Sequence, residues 1–121
     1  MHYSIGQFSD ITQISIDTLR YYEKEELIFV ERNAAGRRCY TENDVQWILF
    51  IRRLKETGMP IKEIRRYAAL RYQGDSTMEE RLKLLKRHQE YVLAEKKKWE
   101  SHLTHLEDKI KIYENRIDKK T

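Results

Sequence analysis

Residues 76 to 118 form 43 consecutive positions without a glycine or a proline. Apolar side chains recur through them in 4-3 alternation, along a seam of Met78, Leu82, Leu85, Gln89, Val92, Lys96, Trp99, Leu103, Leu106, Ile110, Tyr113 and Ile117. Ten of these twelve are apolar, the pattern of a coiled-coil helix. Such a helix would be ~65 Å long, whereas the residues before it would form a body only ~25–30 Å across. Most of the seam therefore cannot be buried against its own domain. Full burial of an apolar side chain is worth roughly 1.5–3 kcal/mol, so the seam needs a partner helix. A second copy of the chain is the simplest one. The expected dimerisation residues are Leu82, Leu85, Val92, Trp99, Leu103, Leu106, Ile110, Tyr113 and Ile117. Gln89 and Lys96 are polar seam positions that would disfavour slipped pairings.

A chain of 121 residues has room for one compact core plus this arm. The expected organisation is a compact domain over 1–75 and a dimerisation helix over 76–121. Residues 1–75 hold 12 Lys+Arg against 11 Asp+Glu, and the arm 12 against 9, so the net charge of +4 singles out no partner. No stretch approaches the length of a membrane span, and His2-Tyr3-Ser4 does not begin a signal peptide. The single cysteine excludes an internal disulfide and points to the reducing cytoplasm.

Ser4-x-x-Gln7 has the form of a capping box opening a short helix through about Ile11. Ser15 then caps a second helix with Asp17 in its first turn. Ile16, Leu19 and Tyr22 make one apolar stripe on it, leaving Asp17, Arg20, Tyr21 and Lys24 largely outside. Two short helices across a three-residue turn outline a helix-turn-helix. Leu27–Val30 is a β-prone run, Asn33-Ala34-Ala35-Gly36 a turn, and Arg37–Tyr40 a returning strand, together an arginine-tipped wing. Thr41-x-x-Asp44 opens a third helix that is apolar nearly all round, hence sandwiched. Gly58 ends it, Pro60 starts a fourth helix over 61–72, and Ser76-x-x-Glu79 is expected to cap the long arm. The fold class expected is mainly α: a winged helix-turn-helix followed by a long coiled-coil helix.

The string Thr18-Leu19-Arg20-Tyr21-Tyr22-Glu23-Lys24 closely resembles the second-helix signature of the MerR family of bacterial transcription regulators. The likeness continues in register through Leu27-Ile28, Gly36-x-Arg38-x-Tyr40, Asp44-Val45, Phe50-Ile51, Leu54, Gly58 and Ile61-x-x-Ile64. It covers about residues 3–72. Three positions depart from the pattern: Glu26 stands where the family usually has glycine, Phe29-Val30 replaces a proline-containing segment, and Pro60 takes a site that is often serine.

On the recognition helix the candidate DNA contacts are Ser15, Asp17, Thr18, Arg20 and Tyr21. The N-terminal half of such a helix enters the major groove, where arginine pairs bidentately with guanine. Arg20 and Tyr21 can equally serve phosphates, which fix register without reading sequence. Tyr22, on the apolar stripe, is expected in the core. Arg37, Arg38 and Tyr40 resemble the family's backbone clamps in the wing, and Lys62 a further phosphate contact near a helix N-terminus. Cys39 reads as a plain strand residue. The aldehyde- and thiol-stress branch, similar in length, carries a cysteine in helix 3 where Arg53 stands here. His102 and His105 lack the carboxylates or thiolates of a metal site. No nucleophile–base pair or Gly-rich phosphate loop is present, so no enzyme and no cofactor are expected. Trp47, Tyr67, Tyr72, Tyr91 and Trp99 are read chiefly as core aromatics, with an effector pocket as the alternative.

The resemblance implies an antiparallel dimer on a pseudo-palindromic operator in an overlong promoter spacer. The dimer would bend and untwist that DNA, realigning the promoter elements for RNA polymerase. A small-molecule effector is allowed but not required. Two rivals stand beside this reading: a scaffold whose compact half binds another protein, and an architectural DNA-bending protein without sequence preference.

Overall fold

The computed structural model describes residues 2–120. Its elements in chain order are β1 (His2–Tyr3), α1 (Ile5–Thr12), α2 (Ile16–Lys24), β2 (Glu31–Arg32), β3 (Arg38–Thr41), α3 (Glu42–Glu56), α4 (Ile61–Gln73) and α5 (Met78–Lys120). A 3-10 turn, Asp75–Thr77, precedes α5. The chain forms two compact units, Met1–Leu85 and Lys86–Thr121.

The helix starts follow their caps. Gln7 N–H donates to Ser4 Oγ at 3.2 Å and Ser4 N–H to Gln7 Oε1 at 2.9 Å, closing the box at α1. Thr41 and Asp44 repeat the box at α3. Both α2 and α3 end in the same way. Leu27 N–H reaches back to Tyr22 O and Glu26 N–H to Glu23 O, while Met59 N–H reaches Leu54 O and Gly58 N–H reaches Lys55 O. These are Schellman endings, with Glu26 (φ 62°) and Gly58 (φ 91°) in the left-handed position.

The core of the first unit gathers Phe8, Leu19, Tyr22, Leu27, Ile28, Tyr40, Ile48, Ile51, Ile64 and Ala68. α3 is buried along Val45, Trp47, Ile48, Ile51 and Leu54 with Leu49 and Phe50 half-buried, as its nearly all-round apolar sequence requires. The sheet order is β1-β3-β2, all antiparallel, with Tyr3 opposite Tyr40 and Arg32 opposite Arg38.

Three expectations are corrected. Leu27–Val30 is not a strand; the outgoing wing strand is Glu31–Arg32. Leu27 and Ile28 are fully buried, Trp47 Nε1–H donates to Leu27 O at 2.9 Å, and Phe29 N–H donates to the Tyr72 hydroxyl at 3.2 Å. Side chains thus take backbone groups that a ladder would have used. Ser76 does not cap the arm, because it lies inside the 3-10 turn. Thr77 does the joining instead: its buried hydroxyl bonds Leu70 O at 2.6 Å and Gly74 O at 2.8 Å. Third, the start of α5 packs into the first unit through Leu84, which is buried although it lies off the expected seam, with Leu85 half-buried beside it. The compact unit accordingly runs past residue 75.

On α5 the seam is left open. Leu82, Trp99, Leu103, Leu106, Ile110, Tyr113 and Ile117 are all exposed, Trp99 by 69%.

Candidate nucleic-acid interface

α2 buries Leu19 and Tyr22 and turns Asp17, Arg20, Tyr21 and Lys24 outward, the division its 3.6-residue period dictates. Ser15 and Thr18 are committed to the helix start: Thr18 N–H donates to Ser15 Oγ at 3.1 Å, and Ser15 Oγ donates to Thr18 Oγ1 at 2.8 Å. Asp17 occupies the first turn, where its charge suits the helix dipole. Arg20 is exposed and makes no ion pair among the described residues. The Tyr21 ring lies 5.1 Å from Lys55 Nζ, a cation–π contact that holds the phenol against α3. Lys55 was not visible as part of the site from sequence, because the pairing joins residues far apart in the chain.

The wing is pinned to α2 by one carboxylate. Arg38 Nε donates to Glu23 Oε1 at 2.7 Å and Arg32 Nη2 donates to Glu23 Oε2 at 3.1 Å. Arg32 and Arg38 face each other across the ladder, where like charges repel; Glu23 between them removes that penalty. Sequence reading missed Glu23 in this role. Its only signal was a second acid, beside Asp17, in the recognition helix. Arg37, at the tip, is exposed and makes no ion pair among the described residues. The tip itself is shaped by Asn33, whose Oδ1 accepts from Ala35 N–H at 2.9 Å and Arg37 N–H at 3.0 Å, and by Gly36 at φ 77°.

Tyr40 is not a surface clamp. Its ring is fully buried and stacked on Phe8, centroids 4.1 Å apart and planes 10° from parallel. The hydroxyl has no hydrogen-bond partner among the described residues. Arg38 and Tyr40 share one face of β3 by the two-residue period. That face meets α2 at Arg38 and α1 at Tyr40, so the tyrosine belongs to the core. Desolvation by burial, with a contribution from the Glu23 carboxylate, pushes its phenol up to about 12.

Lys62 is exposed at the beginning of α4, a start that Pro60 leaves without a side-chain cap. Arg65, one turn on, is tied back to α2: its Nε donates to Glu25 O at 3.0 Å and its guanidinium pairs with the Glu25 carboxylate. The described residues hold no group of three or more His, Cys, Asp or Glu placed to bind a metal, and Cys39 is a half-buried free thiol. Among the described residues no helix is long and apolar enough to cross a membrane.

Similarity to other proteins follows the same outline. The profile of MerR HTH family regulatory proteins matches residues 3–70, and the profile described as MerR, DNA binding matches residues 45–109. An uncharacterised HTH-type transcriptional regulator of Haemophilus influenzae is 36% identical over 94% of this chain and 85% of its own length. Among solved structures, HiNmlR is a MerR family regulator lacking the sensor domain, crystallised bound to promoter DNA. It superposes with a TM-score of 0.85 at 36% identity, covering 95% of this chain and 92% of that one. A MerR family regulator from Listeria monocytogenes gives a TM-score of 0.89 at 34% identity over 93% of this chain and 86% of its own. With the helix-turn-helix, the wing and the long terminal helix all present in order, the chain belongs to the MerR family of DNA-binding transcriptional regulators.

Proposed function

We propose that the protein binds a pseudo-palindromic promoter operator as a homodimer and distorts the spacer DNA to control transcription by RNA polymerase. The observation that carries this is the outer face of α2, with Arg20 exposed and making no ion pair among the described residues while the opposite face is locked in the core. Arg20 reads a guanine edge or holds a phosphate, with Asp17, Ser15, Thr18 and Tyr21 ranged around it. Arg37 contacts the DNA backbone from the wing tip. Arg38, held by its Nε, offers its remaining guanidinium N–H groups. Lys62 neutralises a phosphate beside the uncapped start of α4.

The open seam of α5 supports pairing, since the exposed apolar residues Leu82, Trp99, Leu103, Leu106, Ile110, Tyr113 and Ile117 on one stripe are stabilised only by covering them. An antiparallel pair sets two reading helices on one side of a duplex. Bending and untwisting that duplex costs roughly 1–6 kcal/mol or more, which added backbone contacts can offset. That HiNmlR is bound to promoter DNA supports the same partner here. The expected place of action is the cytoplasm, where promoters are.

Footprinting on the promoter region beside the gene tests the reading. A protected inverted repeat, lost with Arg20→Ala, is the expected result. Equal retention of unrelated duplexes would favour an architectural DNA-bending protein instead. No retention of any duplex would leave the scaffold reading.

A further inference from the structure

We propose that a cavity bounded by α3, α4 and the first turn of α5 binds a small planar aromatic carboxylate. The cavity measures about 300 Å³ and is lined by Asn43, Gln46, Trp47, Phe50, Tyr67, Arg71 and Arg81. Its floor is aromatic and fixed. The Trp47 indole is held by its bond to Leu27 O, Tyr67 stacks on it with centroids 5.8 Å apart and planes at 17°, and Phe50 lies 5.9 Å from Tyr67. Two guanidiniums line the cavity with it. Arg71 lies over the Trp47 ring at 4.2 Å. Arg81 donates through Nε to Thr77 Oγ1 at 3.1 Å and through Nη2 to Gly74 O at 3.3 Å.

What marks the place is its charge balance. Arg32, Arg38, Arg52 and Arg65 each meet a carboxylate. Arg71 and Arg81 are both half-buried, form no ion pair among the described residues, and share a cavity with no acidic lining. Two partly desolvated cations without a counter-anion are costly, and a bidentate carboxylate answers the fork geometry of a guanidinium. A flat apolar body on that carboxylate would lie against the half-buried Phe50 ring, since Arg71 and Tyr67 already cover the Trp47 indole. The Asn43 and Gln46 amides supply neutral hydrogen bonds at the rim. The site is an open cleft rather than a closed cavity, which suits a single ring lying along it. The adjoining cavity, about 380 Å³, lacks this chemistry: it is lined by Glu56, which already pairs with Arg52 at 3.6 Å.

Regulation of DNA binding through this cavity rests on the proposed function. α4 carries Arg71 in its last turn and Lys62 in its first, so one rigid helix links ligand and phosphate contacts. Occupancy of the cavity itself does not depend on that reading.

Benzoate is the probe, with benzamide and acetate as the neutral and the non-aromatic comparisons. The Trp47 indole N–H is followed by ¹⁵N–¹H spectroscopy of the full chain. A Trp99→Phe sample assigns the two indole peaks, and Trp99 serves as internal reference. Benzoate is expected to move the Trp47 peak saturably, with a dissociation constant on the order of 1 mM or below. Benzamide and acetate should bind at least about tenfold more weakly, as should benzoate to Arg71→Gln or Arg81→Gln. Arg71→Lys should recover part of the loss, which separates charge from folding. A Trp47 peak that does not move, or equal titrations by benzoate and benzamide, overturns the site. So does an Arg81→Gln variant that titrates like the parent. Operator binding measured without benzoate tests the proposed DNA-binding function separately, and an operator affinity unchanged by saturating benzoate overturns the regulatory link alone.

Discussion

Glu26 and Gly58 occupy the same left-handed position in two copies of one helix ending, at φ 62° and 91°. The hydrogen bonds match, with Leu27 N–H to Tyr22 O at 2.9 Å and Met59 N–H to Leu54 O at 2.9 Å. Only one of the two residues suits the backbone. A side chain in this conformation costs roughly 1–2 kcal/mol, part of which glycine gives back through its freer unfolded chain. Glu26→Gly is therefore expected to stabilise the protein by about 0.5–1 kcal/mol, and Gly58→Ala to destabilise it by ~1 kcal/mol or more. Urea unfolding of the two variants gives both numbers, and a less stable Glu26→Gly would contradict the geometry.

Glu23→Gln leaves Arg32 and Arg38 facing one another without a shared counter-charge. The groups are partly exposed, with side-chain exposures of 24%, 45% and 25% for Glu23, Arg32 and Arg38, so the loss of stability should stay within about 1 kcal/mol. The wing should loosen more than the fold. Amide exchange across β2 and β3 is expected to quicken while that in α3 holds steady; uniform acceleration would mean that the pair acts globally.

Tyr40→Phe removes a buried hydroxyl with no hydrogen-bond partner among the described residues. Relieving an unsatisfied polar group is worth about 1–3 kcal/mol, so the variant should be more stable at neutral pH. The pH dependence follows from a phenol pushed up to about 12 in the folded state. The folded state keeps the proton where the unfolded state releases it. Stability is thus fully present below the ordinary tyrosine value near 10 and lost as pH rises through about 12. Thermal unfolding between these limits should show a shallower alkaline decline for Tyr40→Phe than for the parent.

Leu106→Glu with Ile110→Glu puts charges into the middle of the seam, and so into both copies of the proposed homodimer. Each side chain withdrawn from burial forfeits roughly 1.5–3 kcal/mol, so the dimer should weaken by far more than a hundredfold. Sedimentation at micromolar concentration should then find single protomers. A persisting dimer would place the interface elsewhere.

Arg37→Ala should reduce the salt dependence of DNA binding by about one unit of slope while leaving sequence preference alone. A binding isotherm series across salt concentrations decides this. An unaltered slope takes Arg37 off the backbone.

The parts readable in the sequence were those set by near neighbours in the chain. The Ser4/Gln7 and Thr41/Asp44 boxes close within four residues, and the exposed face of α2 follows from one helical period. What escaped depended on the fold. β1 is two residues long, too short to show alternation. Tyr40 is equally polar and apolar on paper, and only the position of Phe8 decides which end matters. Glu23, Lys55 and Thr77 acquire their roles from partners that the chain brings in from elsewhere. The heptad count likewise registered Leu82 and passed over Leu84, because a seam pattern does not reveal a second face turned toward the helix's own domain.

The pairing of His2 and Tyr3 with Thr41 and Tyr40 means that β3 is hydrogen-bonded along both of its edges. Residues 31–41 are therefore not a transplantable module. A chimera grafting this hairpin onto another scaffold would strip one edge of its strand and unseat the Tyr3 hydroxyl from Glu42, which it contacts at 2.5 Å. Grafts that also carry residues 2–3 should keep the hairpin's shape, and those that omit them should fray from the Thr41 end.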